Sequence, residues 1–109
     1  MKKVIEVYFY KSSAGNEPVR EWLLELDKDD KKSIGADIKA VEFGFPIGLP
    51  LVKKIDSGLW EVRSNLKSDK IARVLFTIKD SKMILLHGFI KKSQKLIKQD
   101  NQIAISRKK

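Results

Sequence analysis

The chain has 109 residues, 42% of them hydrophobic and 34% charged, which suits one compact domain with its own core and excludes a disordered polyelectrolyte. It has no cysteine, which rules out disulfides, thiolate catalysis and cysteine-based metal sites. Its formal charge is +9: residues 1–50 hold 8 basic and 9 acidic side chains, net −1, whereas residues 51–109 hold 15 and 5, net +10. An excess segregated in this way predicts one basic face for a polyanion or an acidic protein in the second half of the chain.

The first element, residues 3–10 (KVIEVYFY), is rich in β-branched and aromatic types and predicts a strand; Glu6 breaks its apolar run, so a strand and not a signal peptide is expected there. Asn16 offers an N-cap, with Glu17 and Pro18 in a first turn. Val19, Trp22, Leu23 and Leu26 then form the apolar stripe of a helix ending near Asp27. DKDDKK reads as a connection and a new cap, and Ile34, Ile38, Val41 and Phe45 predict a second helix closing near Gly44. FPIGLP, with Pro46, Gly48 and Pro50, reads as a loop.

The period then changes to two. Residues 58–64, 71–79 and 83–90 predict three strands of an antiparallel meander, joined by NLKSDK and DSK. Alternation puts Arg63 and Arg73 on the same face, opposite the apolar residues expected to meet the helices, so that the arginines share an open face of the sheet. The tail is polar, with Ile103 and Ala104 in a short terminal helix. No stretch is long and apolar enough to span a membrane, and a cytoplasmic setting is expected for the whole chain as a single domain, residues 1–109.

One histidine, no cysteine and dispersed carboxylates argue against a metal site. No phosphate-binding glycine loop and no nucleophile elbow is present, and His87 has no evident acidic orienter. RNA cleavage needs neither metal nor cofactor when the 2′-hydroxyl attacks the adjacent phosphate: one group takes a proton, cations stabilise the phosphorane, and a donor protonates the leaving oxygen. The groups available are Lys53 and Lys54 before the meander, Arg63, Arg73 and His87 in it, and Lys91, Lys92 and Lys95 after it. Arg63 and Arg73 are two of only four arginines, and their planar forks suit phosphate. The plain alternatives are an ion pair of these arginines with Glu61 or Asp69, a His87 satisfied by backbone, and lysines that only solvate strand ends.

GLWEVRS (58–64), ARVLFT (72–77) and ILLHGFIKKSQK (84–95), together with Gly15 to Val19, resemble the RelE/HigB superfamily of type II toxin–antitoxin toxins, and within it a phage-derived HigB-like branch. The resemblance implies an α+β fold of order β-α-α-β-β-β with a terminal helix, its two N-terminal helices packed on an antiparallel sheet. It also implies a metal-independent mRNA interferase acting in the ribosomal A site, and as partners a helix-turn-helix, HigA-like antitoxin, the ribosome and mRNA. Carried to matching positions, it implies catalytic roles for Arg63, Arg73, His87, Lys54 and Lys92, and RNA binding by Lys53, Lys91, Lys95 and Phe89. Some relatives place a tyrosine near the C-terminal end, whereas the tyrosines here are Tyr8 and Tyr10. Two other readings keep part of this picture: a ParE-like toxin that inhibits DNA gyrase, and a small RNA-binding module without catalysis.

Overall fold

A computed structural model describes residues 2–91 and 98–109. The elements run β1 (Glu6–Phe9), α1 (Pro18–Glu25), α2 (Lys28–Gly44), β2 (Val52–Asp56), β3 (Leu59–Asn65), β4 (Ile71–Lys79), β5 (Lys82–Lys91) and α3 (Lys98–Lys108), with a short 3-10 turn at Lys67–Asp69. The fold is therefore α+β, with three helices among the described residues on one five-stranded sheet of order β1-β5-β4-β3-β2.

Local chemistry accounts for most boundaries. Pro18 opens α1 because it lacks the N–H that a first turn leaves unpaired, and the cap is Glu17, whose N–H donates to the Glu21 carboxylate at 3.2 Å. The expected cap, Asn16, instead closes the preceding loop, its N–H donating to Ser12 Oγ and its carbonyl accepting from Ser12 N–H. The segment DKDDKK supplies the expected cap but not a connection: Asp27 accepts from the Asp30 N–H at 2.9 Å, and residues 28–32 form the first turns of α2. Asp29 and Asp30 in that first turn also complement the positive end of the helix.

Two expectations about the sheet need correction. Residues 52–56, placed before the meander and not expected as a strand, form β2, because Val52 and Lys53 pair with Val62 and Glu61 of β3. Lys53 and Lys54 obscure any alternation, and a register shift between Lys54 and Asp56 breaks what remains of it. The sheet is also not wholly antiparallel. β2 to β5 form an antiparallel meander, but β1 runs parallel to β5, Tyr8 standing opposite Ile84. The intervening helices carry the chain back across the sheet, which permits the parallel pairing.

One sheet face meets α1 and α2. Val19, Ile34, Ile38 and Val41 pack there on Val62, Val74, Phe76, Met83 and Leu85. Phe76 is stacked on Trp60 with centroids 6.0 Å apart, and Phe45, just past the end of α2, meets Trp60 edge-on at 5.7 Å. Gly88 in β5 lets the Trp22 ring of α1 lie directly on the strand backbone. The other face, expected to be open, is covered by α3: Ala104 packs on Leu59, Leu75 and Leu86, flanked by Tyr10, Ile55, Ile84 and Phe89.

Candidate functional site

Directly opposed residues of an antiparallel ladder put their side chains on the same face. Two rows on the α3 side collect four of the eight basic residues singled out above. In one, Lys53, Glu61, Leu75 and His87 follow one another across β2, β3, β4 and β5; in the next, Arg63, Arg73 and Phe89 do so across β3, β4 and β5. Lys54 stands opposite Trp60, in the row that packs toward α2, so strand alternation separates it from the two arginines. Lys53 and Lys54 are both exposed. Lys91 ends β5 opposite Ile71, and Lys92 and Lys95 lie outside the described residues.

Glu61 organises the arginine pair. Its Oε1 accepts from Arg63 Nε at 2.8 Å and from Arg73 Nη1 at 2.9 Å. Its carboxylate is wholly buried and Arg73 is 7% exposed, whereas the Arg63 side chain keeps 30% of its surface. Arg73 therefore lies inside the protein and not on an open surface, and the ion pair with Glu61 is real. One carboxylate between two guanidiniums leaves the cluster with net charge +1. Among the described residues Glu61 Oε2 and Arg73 Nε lack hydrogen-bond partners, and the terminal nitrogens of Arg63 have none either. Because Glu61 takes only its Nε, Arg63 keeps the two-pronged end of its fork for a ligand.

Arg63 lines a cleft of about 540 Å³ with Ser33, Ala36 and Asp37 of α2, Pro50 and Leu51 of the preceding loop, Asn65 of β3 and Ile71 of β4. The cleft exists because β2 starts at Val52, opposite Val62: the Arg63 N–H still donates to the Leu51 carbonyl, and beyond it β3 loses its neighbour. The turn joining β3 and β4, between the lining residues Asn65 and Ile71, is held to the start of α2 by Lys67 with Asp29 and by Lys70 with Asp30 at 4.0 Å. Lys67, surrounded by Asp29, Asp27 and Asp30, has its pKa raised, chiefly by its hydrogen bond to Asp29.

His87 does have an acidic orienter, contrary to the sequence reading. Asp100, thirteen residues on and in α3, places Oδ1 2.7 Å from His87 Nε2, and Arg107 Nη1 lies 3.5 Å from Nδ1. The contacts agree if Nε2–H donates to Asp100 and Nδ1 accepts from Arg107. Phe89 stacks on the imidazole with centroids 5.6 Å apart. Arg107 also donates to the Leu86 carbonyl at 2.8 Å and sits over the Tyr10 ring at 5.6 Å. Tyr10, the residue after β1, thus joins the cluster on the α3 face. Asp100, Arg107 and Tyr10 escaped the sequence reading because they lie far from His87 along the chain; the one available signal was Arg107, the remaining arginine besides Arg20.

Together these groups can hold an anion at Arg63, stabilise added negative charge through the buried Arg73, and keep an imidazole in one orientation. Among the described residues no three His, Asp or Glu side chains form a metal-binding group, and no helix is long and apolar enough to cross a membrane. A search of curated proteins returned no match to the chain. Residues 21–109, which carry every group above except Tyr10, match the family described as phage derived protein Gp49-like (DUF891). The chain belongs to this Gp49-like family, a RelE/HigB-type toxin-like family associated with toxin–antitoxin systems.

Proposed function

We propose that this chain is the toxin of a type II toxin–antitoxin pair and that it cuts translated mRNA in the ribosomal A site, without a metal. The observation that carries the reading is the Arg63–Glu61–Arg73 arrangement, in which a buried carboxylate holds two guanidiniums and, among the described residues, leaves the terminal nitrogens of Arg63, a residue that lines a cleft, without a partner. In the proposed reaction the ribose 2′-oxygen attacks the adjacent phosphorus and the bond from phosphorus to the 5′-oxygen breaks, leaving a 2′,3′-cyclic phosphate. The fork of Arg63 holds the phosphate oxygens, and Arg73 adds positive charge where the phosphorane gains negative charge.

The 2′-hydroxyl proton goes to a base and the departing 5′-oxygen receives one from an acid. His87 can take a proton only at Nδ1, since Nε2 is held by Asp100, and Nδ1 carries the longer of its two contacts. Lys53 and Lys54 are the exposed proton donors on β2, with Lys92 the further candidate after β5. Lys53, Lys91, Lys95 and Phe89 are assigned to RNA binding, the last through stacking. The +10 charge of residues 51–109 supports a polyanion as substrate and a HigA-like antitoxin with an acidic segment as the neutralising partner, in the cytoplasm.

The test is induced expression with mapping of mRNA 5′ ends, for the native chain and for Arg63→Ala, Arg73→Ala and Lys54→Ala. Codon-phased cuts that require translation and disappear with either arginine are expected. Intact messages with arrested DNA replication would instead identify a gyrase inhibitor, and toxicity unchanged by loss of both arginines would remove the catalytic reading.

A further inference from the structure

The cleft beside Arg63 has a feature that phosphate binding alone does not use. It is lined by an arginine and by a half-buried carboxylate, Asp37; among the described residues the terminal nitrogens of the arginine have no hydrogen-bond partner and Asp37 has no hydrogen bond or ion pair to a side chain. Opposite charges that line one cavity without closing on each other suit a ligand that brings an anion to one and hydrogen-bond donors to the other. Between them the walls are apolar at Ala36, Pro50, Leu51 and Ile71, and polar at Ser33 and Asn65. A volume of about 540 Å³ is ample for one nucleotide and falls within the range of small-molecule sites.

We infer that this cleft binds a single ribonucleotide of the RNA substrate and selects guanine, with Asp37 reading the base while Arg63 holds its phosphate. The inference rests on the RNA reading above and deepens it by naming a base. The choice follows from hydrogen-bond chemistry. A carboxylate has two acceptor oxygens and no donor, and guanine is the base whose Watson–Crick edge offers two adjacent donors, N1–H and the 2-amino group. Adenine and cytosine set one amino group beside a ring nitrogen acceptor, which a carboxylate repels, and uracil flanks one N–H with two carbonyls. The Asn65 amide supplies the donor that guanine O6 needs. Leu51, Pro50 and Ile71 provide apolar surface for the faces of the ring.

The experiment titrates the 15N-labelled chain with 5′-GMP, 5′-AMP, 5′-CMP and 5′-UMP separately, following backbone amide shifts. 5′-GMP is expected to bind roughly tenfold or more tightly than the other three, the discrimination of one charge-assisted hydrogen bond, with shifts centred on Ser33, Asp37, Asn65 and Ile71. Asp37→Asn should abolish the preference, and Arg63→Gln should weaken all four nucleotides alike. Asp37 is a half-exposed helix residue, and Ser33→Ala, tested in parallel, should shift affinity without altering the unfolding midpoint. Equal binding of the four nucleotides, shifts confined to another surface, or a guanine preference that survives Asp37→Asn would overturn the inference.

The same variant separates this inference from the function proposed above. If Asp37→Asn still cuts messages with an unchanged base preference, the guanine site falls while the nuclease reading stands. If 5′-GMP binds as expected and no message is cut, the site stands and the nuclease reading falls.

Discussion

Arg63 and Arg73 stand directly opposite each other on adjacent antiparallel strands, a placement that sets two like charges face to face, and both donate to the same oxygen of Glu61, at 2.8 and 2.9 Å. Like charges at directly opposed positions destabilise a sheet. Here Glu61, two residues before Arg63 on the same face of β3, turns a repulsive pair into a cluster of net charge +1. The strand segment Glu61-Val62-Arg63 therefore carries both the cation and its counter-charge.

Neutralising Glu61 should reveal that repulsion. Glu61→Gln keeps the side-chain shape but leaves Arg73 buried without a full counter-charge, and a loss on the order of 3–5 kcal/mol is expected in urea unfolding, the usual result of breaking a buried ion pair. Adding Arg73→Met to Glu61→Gln removes the stranded cation and should recover much of the stability. An unfolding midpoint unmoved by Glu61→Gln would show that the cluster has no structural part to play.

The exposed member should separate stability from activity. Arg63 keeps 30% of its side-chain surface, so Arg63→Gln should change stability by about 1 kcal/mol or less. The same change removes the charged fork, and the proposed message cutting in cells should fall by about two orders of magnitude, the effect typical of losing one group that stabilises developing charge. Arg63→Lys should restore little of that cutting, because an ammonium cannot make the two-pronged contact. Cutting at native levels by the Arg63→Lys variant would show that only a point charge is needed.

Much of this was legible in the chain. Period-two alternation in 71–79 and 83–90 put Arg73 and His87 in strands, and the 3.6 period from Ile34 to Val41 found α2, because these segments bury a single regular face. The failures share a cause. β2 is held by pairing with β3 and not by its own pattern, and residues 28–32, polar throughout, join α2 because the Asp27 side chain, the cap expected in DKDDKK, accepts from the Asp30 N–H. The face expected to be open is covered because α3, weakly amphipathic, docks through specific contacts of Asp100, Arg107 and Ala104 and not through a long apolar stripe. In the site, the arginine pair followed from register, whereas Asp37 and Asp100 meet their neighbours only through tertiary folding.

Gly88 is the position at which the packing of α1 leaves no room. A Cβ there would overlap the Trp22 ring, whose atoms belong to a rigid indole held against β5. Gly88→Ala should therefore destabilise by about 1–3 kcal/mol, the usual consequence of overpacking. Trp22→Leu combined with Gly88→Ala should lose less than the sum of the two single changes, measured by thermal unfolding of all four proteins. Strict additivity would mean that the two residues do not share the strain.

The turn between β3 and β4 should loosen at alkaline pH. The pKa of Lys67 is raised above its ordinary 10.5 by Asp29, so the contact favours the charged lysine. A raised folded-state pKa gives stability that is fully present below the ordinary value and is lost as pH rises through the raised one. Lys67→Met should thus differ from the native chain at neutral pH and converge with it well above pH 10.5. Added salt should narrow the neutral-pH difference, since both partners are exposed. A difference that grows with pH would contradict the assignment.

The docking of α3 should depend on His87 and Asp100 more than on its small apolar contact. Ala104 is the one fully buried residue of the helix among those described, so the 2.7 Å contact from His87 Nε2 to Asp100 and the bond from Arg107 to the Leu86 carbonyl supply much of what holds it. Asp100→Ala removes the first of these, worth about 1 kcal/mol, and amide exchange in residues 98–108 should accelerate by roughly fivefold while exchange in β4 barely changes. Asp100→Asn retains an oxygen that can accept from Nε2–H, and its acceleration should be smaller. Arg107→Ala should act in the same direction as Asp100→Ala, because it releases both the Leu86 carbonyl and the ring of Tyr10. If exchange in α3 were the same in the native chain and in Asp100→Ala, the His87–Asp100 contact would not be what fastens the helix to the sheet.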